Sequence, residues 1–129
     1  KKRISKKEII NDTKVKPLNV TACEKYYLGF YEKKKLIAVL DLLLYYPNKS
    51  TAFIGLLMVD KAKQKLGIGT IILNELTEFL RKKKLSKIRL AWVKDSKKAE
   101  HFWTKNGFIV VDKAYMDGVI PLSVAERKI

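Results

Sequence analysis

Phe53-Ile-Gly-Leu-Leu-Met-Val59 runs into Asp60-Lys-Ala-Lys-Gln-Lys-Leu66 and then into Gly67-Ile-Gly69-Thr70. The first segment is a short apolar run with β-branched and aromatic residues, the pattern of a strand covered on both faces. Past the glycines, Ile68, Ile71, Ile72, Leu76, Phe79 and Leu80 recur at helical spacing and define one apolar stripe. Glu75 and Glu78 precede Arg81, Lys82, Lys83 and Lys84, an order that suits the helix dipole. Lys87-Ile-Arg-Leu-Ala-Trp-Val93 reads as a second strand. Strand, helix and strand then form a βαβ unit, with the right-handed crossover such units adopt.

The turn into this helix is where a ligand is expected. A helix N-terminus leaves backbone N–H groups unpaired and carries partial positive charge. Glycines at 67 and 69 remove the β-carbons that would hold a ligand away from those amides, and Lys61, Lys63 and Lys65 add full charges beside them. Such a place suits a phosphate or pyrophosphate. It is not a P-loop, because Gly69 is followed by Thr70-Ile71 and no lysine is placed to reach the phosphates. Nor is it a dinucleotide fingerprint, since Ile72 stands where the third glycine belongs and residues 60–66 separate the strand from the first.

Upstream, Tyr26-Tyr-Leu-Gly-Phe-Tyr31 and Leu36-Ile-Ala-Val-Leu-Asp-Leu-Leu-Leu-Tyr-Tyr46 are strand-like, and the short charged link Glu32-Lys-Lys-Lys35 makes them a hairpin. Asp41 interrupts the second of these with apolar residues on both sides. A carboxylate buried in a strand must be paired, hydrogen-bonded or protonated, and Asp41 is a candidate general base with a raised pKa. A solvent-facing or edge position is the alternative. At the start of the chain, Ser5-x-x-Glu8 has the form of a capping box, which predicts a short helix over Ile9 and Ile10 ended by Pro17.

Downstream, Ser96 or Asp95 can cap a helix that Asn106-Gly107 stops, with Ala99, Phe102 and Trp103 on its inner side. His101 is the only histidine; its neighbours face inward, which turns it outward, and no metal site is expected. Phe108-Ile-Val-Val111, Tyr115-Met116, Asp117-Gly118 and Val119-Ile120 read as a second hairpin, whose last strand is at an edge or bulged at Pro121.

Two of these stretches together resemble the GNAT superfamily of acyl-CoA-dependent N-acetyltransferases. Gln64-Lys-Leu-Gly67-Ile-Gly69 is similar to the family's Q/R-x-x-G-x-G/A pyrophosphate loop. Ser96, Ala99, Phe102, Trp103, Lys105, Gly107 and Phe108 fall on its second motif, N-x-x-A-x-x-L/F-Y-x-K-x-G-F. The resemblance implies an α/β fold: a mixed, largely antiparallel central sheet, helices on both faces and a C-terminal hairpin whose last strand lies beside the fifth. It implies acetyl-CoA as acyl donor and a primary amine, small-molecule or peptide, as acceptor. Backbone amides near Met58 and Val59 would hold the acyl carbonyl and pantetheine, and those of Leu66, Gly67, Ile68, Gly69 and Thr70 the pyrophosphate. Gln64 and Lys65 would serve as loop context. Ser96 replaces the usual Asn and keeps a hydrogen-bonding group near the cofactor. Trp103 replaces the Tyr that in many members protonates the departing thiolate, and an indole cannot act as an acid at neutral pH. A non-catalytic acyl-CoA-binding or nucleic-acid-associated regulatory module on the same fold is the rival reading.

A chain of 129 residues, 47% hydrophobic, is expected to form one domain over 1–129. The 25 residues before the first clear strand are too few for the family's N-terminal strand and two helices, so part of those elements is expected to be missing. With Lys rather than Met at the first position, the chain is expected to begin inside a longer gene product. No run of eighteen apolar residues appears and Cys23 is the only cysteine, so the expectation is a cytoplasmic protein without membrane span or internal disulfide, with a homodimer open. The net charge of +15 admits a nucleic-acid partner, but it rests on lysines spread along the chain, with Arg only at 3, 81, 89 and 127. Groove readers concentrate Arg with aromatics on one face, so a solvated basic surface is the better reading. DNA and RNA are therefore expected to bind weakly and to lose affinity steeply with added salt. A fluorescence-anisotropy titration finding tight, sequence-selective binding at physiological salt would reverse this.

Overall fold

The computed structural model describes the backbone of residues 5–11 and the whole of residues 23–129. The strands are β1 (Ser5–Asn11), β2 (Glu24–Glu32), β3 (Lys35–Leu44), β4 (Thr51–Val59), β5 (Lys87–Val93), β6 (Ile109–Met116) and β7 (Ile120–Lys128). The helices are α1 (Ile68–Lys82) and α2 (Lys97–Lys105), with a 3₁₀ helix over Lys61–Leu66. The sheet runs β1-β2-β3-β4-β5-β7-β6. Only β4 and β5 pair in parallel; every other neighbour is antiparallel, with β7 beside β5 as the hairpin reading requires.

One core lies on one face of this sheet. Alternate residues such as Leu28, Phe30, Leu40, Leu42, Ile54, Ile88 and Leu90 meet Ile68, Ile72, Leu73, Leu76 and Leu80 of α1. Alternation along each strand and the i, i+4 stripe of α1 make this packing possible. Ala99, Phe102 and Trp103 of α2 pack at its margin. The two helices touch, since a β-carbon at Gly69 would stand 2.8 Å from the Phe102 ring. Both described helices therefore share one face, and the expectation of helices on both faces is met on one side only among the described residues.

Two further expectations change. Ser5–Asn11 is not a helix: it pairs antiparallel with β2, from Ser5 opposite Tyr31 to Asn11 opposite Tyr26, with an irregularity between Lys6 and Glu8. Seven residues cannot offset the cost of nucleating a helix, whereas the edge of β2 offers a complete ladder. Pro17 lies outside the described residues. At the other end, β7 is an interior strand, not an edge. Pro121 fits there because its carbonyl accepts from Lys94 N–H at 3.0 Å, beyond the last β5 pair, Val93 with Leu122. Its missing N–H would have pointed past the end of β5. The bulge falls instead in β6, between Val110 and Asp112. The Asp117-Gly118 turn has positive φ at both residues, 53° and 70°, and is closed by Val119 N–H donating to the Met116 carbonyl at 3.1 Å; residues 117–119 thus separate Met116 from its partner Ile120.

The face away from the helices carries charges, and these are paired across strands. Lys25 Nζ lies 3.2 Å from Asp41 Oδ1, and Glu126 takes both Arg89 and Lys87, the latter at 3.1 Å. Burial pulls the Glu126 carboxyl upward, but the hydrogen bonds and charges of Arg89 and Lys87 outweigh it and hold the group below the usual glutamate range. The unfolded chain then binds more protons than the folded one as pH falls through the glutamate range, so this contribution is present at neutral pH and lost in acid. Glu126→Gln is expected to be less stable at pH 7 and to shrink the difference from wild type below the folded-state pKa. Urea titrations at several pH values measure it, and a difference that grows in acid would show the assignment wrong.

Candidate functional site

β4 and β5 are laddered only from Thr51 opposite Lys87 to Ile54 opposite Leu90. Beyond that point β4 follows β3 to Val59, and β5 follows β7 to Val93. The backbone of residues 55–59 therefore has no ladder toward β5, and a cleft opens between the two strands. Leu57 and Val59 of β4, Gln64, Gly69 at the start of α1, and Ser96, Lys98, Ala99, Phe102 and Trp103 line a cavity of about 290 Å³ there.

The loop leading to α1 is more ordered than a simple basic loop. Asp60 caps its 3₁₀ helix by accepting from Ala62 N–H at 3.3 Å. Lys63 is committed to Glu32 at 2.7 Å, so of the three loop lysines only Lys61 and Lys65 stand exposed. Gly67 joins the two helices with φ of 76°, a left-handed conformation that favours glycine, and nothing lies within 4 Å of where its β-carbon would be. As N-cap of α1 it supplies no side-chain acceptor, and the first turn holds no acidic residue. The positive end of a fifteen-residue helix is thus uncompensated beside the cavity. Gly69 has a different role from the one its sequence suggests: its missing β-carbon makes room for Phe102, not for a ligand.

Gln64 bridges the cleft. Its Nε2 donates to the Val59 carbonyl at 2.9 Å, and its Oε1 accepts from Lys98 Nζ at 2.7 Å. Ser96 caps α2 by accepting from Ala99 N–H at 3.3 Å and faces the cavity from there. Trp103 makes edge contacts with Phe102 and Phe108, ring centroids 4.9 and 5.3 Å away, and presents its remaining surface to the cavity.

Of the residues singled out in the sequence, Val59, Gln64, Gly69, Ser96 and Trp103 meet in this cavity. Gly67, Ile68 and Thr70 form the turn at its edge, while Lys65 and Leu66 are exposed on the 3₁₀ helix. Met58 points to the other side of β4, into a second, shallow cavity that shares Val59 and Gln64 with the first. Asp41 is not brought to either cavity. It sits half-buried on the far face against Lys25, above Gly55, whose β-carbon would meet its carboxylate carbon at 3.4 Å. Burial pulls the Lys25 ammonium down, but the Asp41 bond and charge hold it above its ordinary value. Sequence reasoning missed Lys98 and Leu57. The helical pattern of α2 gives no sign that one of two adjacent lysines reaches Gln64.

The profile of the acetyltransferase (GNAT) family matches residues 6–108. The chain belongs to that family. Solved structures with the same fold include Ard1 from Thermoplasma volcanium, 19% identical with a TM-score of 0.70 over 80% of this chain and 70% of that one. A GNAT acetyltransferase from Elizabethkingia anophelis with acetyl-CoA bound is 16% identical, TM-score 0.68, over 81% and 76%. The PaiA N-acetyltransferase of Thermoplasma acidophilum, in complex with coenzyme A, is 25% identical, TM-score 0.67, over 80% and 60%. No curated protein sequence matches the chain significantly.

Proposed function

We propose that this protein transfers an acetyl or related acyl group from its CoA thioester to a primary amine. The observation that carries the reading is the cleft between β4 and β5, where a free strand edge, an uncapped helix N-terminus and Gly67 converge. An extended chain bearing amides and a pyrophosphate matches that set. The cleft-facing backbone groups of residues 55–58, which have no ladder toward β5, suit pantetheine amides and the acyl carbonyl, and the amides of residues 66–70 suit the two phosphates. The relatives with CoA or acetyl-CoA bound support the same ligand for this chain.

The amine nitrogen, neutral when it attacks, forms a bond to the thioester carbonyl carbon. Negative charge gathers on the oxygen, where backbone N–H groups at the end of β4 stabilise it. The carbon–sulfur bond then breaks and the thiolate leaves; the nitrogen gives its extra proton to water, and water returns one to the thiolate. Trp103 holds the arm by packing and does not protonate it. Asp41 has no part in this sequence, since it lies off the cavity in its pair with Lys25. The non-catalytic reading draws on Trp103 at the acid position, and turnover assays separate the two.

Calorimetry with CoA tests the binding half. Gly67→Asp places a negative charge where phosphate approaches; the added β-carbon meets open space, and Asp is among the few residues that enter the left-handed region, at a backbone cost of about 1 kcal/mol. Affinity should fall about tenfold, or roughly 1.4 kcal/mol. Unchanged affinity in a folded variant would remove the central claim.

The second test concerns the leaving group. An indole has no proton to lose near pH 10, so acetyl transfer should lack the alkaline limb that a tyrosine acid gives. Trp103→Phe should keep most of the turnover once shown to be folded, and Trp103→Tyr should match or exceed it. A folded Trp103→Phe protein that binds CoA normally yet loses nearly all activity would assign the indole N–H a catalytic role.

A further inference from the structure

A second cavity, of about 390 Å³, lies against the same end of β4, on its β3 side. Leu36, Ile37, Ala38 and Val39 of β3 line it with Met58 and Val59 of β4, and Asp60, Lys61 and Gln64 complete it. Val39 pairs with Met58 and Ala38 with Val59, so two adjacent strands form its floor. Leu36 and Met58 are left 46% and 58% exposed there.

The frame of this cavity is fixed. Asp60 N–H donates to the Ile37 carbonyl at 2.7 Å, and Lys63 is paired with Glu32 at 2.7 Å. These contacts tie the 3₁₀ helix to the β2–β3 hairpin. The Gln64 carboxamide, bonded to the Val59 carbonyl and to Lys98, lines both cavities and divides one from the other. A molecule seated on Leu36 and Met58 thus lies one carboxamide away from the donor cleft.

Charge and apolar lining together select the molecule. Asp60 is the one acid that lines either cavity among the described residues, and its carboxylate is already committed. Its Oδ1 accepts from Ala62 N–H at 3.3 Å, and its Oδ2 lies 3.7 Å from Lys35 Nζ. Lys61 stands exposed at the second cavity, and Lys98 gives its ammonium to the neutral Gln64 at the first. A second ammonium on an acceptor would meet these two charges and an acid already engaged. The same charges favour the neutral form of a lone amine, the form that attacks. Six of the nine lining residues are apolar, which suits a hydrocarbon body.

We infer that the second cavity is the acceptor site, and that its acceptor is a small monoamine carried on an apolar body, not a polyamine. The inference rests on the acyl-transfer reading above and names the substrate class for it. The apolar body covers Leu36, Val39 and Met58, and the nitrogen passes Gln64 toward the thioester carbon.

The chain has two methionines, Met58 in this cavity and Met116 on β6, so isotope-labelled methionine methyl groups report on the site directly. With CoA present, hexylamine should shift the Met58 signal saturably in the NMR spectrum and leave Met116 in place. Ethylamine, with the same charge and four fewer methylene groups, should bind about tenfold or more weaker. Hexamethylenediamine, with a second ammonium on the same body, should do likewise. Leu36→Glu, at an exposed position, adds a free carboxylate and should narrow or reverse the preference for hexylamine over the diamine. A Met58 signal that ignores hexylamine, equal binding of the three amines, or a Leu36→Glu protein with the wild-type preference would each overturn the acceptor assignment. Because these readouts need no turnover, their failure is distinct from failure of the transfer reading, which CoA calorimetry and acetylation of any amine decide.

Discussion

The structure depends on the divergence of β4 from β5. Each strand has a stronger commitment elsewhere: β4 to β3 from Ala52 to Val59, and β5 to β7 along its whole length. Antiparallel ladders hold both strands to their ends, while the parallel ladder between them stops after Ile54 and Leu90. A wedge of backbone without cross-strand partners is tolerable only where something polar reaches it, because an unpaired buried amide or carbonyl costs a kcal/mol or more. Here that wedge opens to a cavity roofed by α2, and α1 begins at its rim. The fold thus places an unsatisfied strand edge and an unsatisfied helix end next to each other.

Much of this was legible in the sequence because it rests on local periodicity. The stripe of Ile68, Ile72, Leu76 and Leu80, the βαβ order, and the stops at Asn106-Gly107 and Asp117-Gly118 are each set by residues within a few positions of one another. What escaped is long-range. Nothing near Asp41 in the chain shows that its partner is Lys25, sixteen residues earlier, and a buried lysine there runs against composition alone. Ser5-x-x-Glu8 carries a local helix signal, yet the open edge of β2 overrides it. Gly69 illustrates a subtler failure. The sequence shows that a side chain is absent, but not whether a ligand or another helix occupies the space.

The paired charges on the face without helices explain how a chain of such lysine excess keeps a half-exposed sheet. Lys25, Lys87 and Arg89 each lie among the sheet's side chains, and each has a carboxylate within reach on a neighbouring strand. Cross-strand pairs of opposite charge favour register as well as stability. The surplus lysines stand elsewhere, at turns and helix ends such as Lys33, Lys34, Lys83 and Lys84, where water screens them.

The Val59–Gln64–Lys98 bridge bears on how selective the cleft is. A ligand that reaches the Val59 carbonyl must take it from a carboxamide already bonded there, and one that reaches Lys98 displaces the other end of the same group. Hydrogen bonds in this part of the cleft are swapped, not created. Exchanging one amide for another is close to thermoneutral, so polar contacts to the arm of a ligand set its path more than its affinity. Discrimination between ligands of the same length then falls to the places with no internal stand-in, the uncapped helix end and the apolar wall at Leu57. Two molecules that differ only along the arm would compete nearly as equals, and a shortened or uncharged head would be rejected.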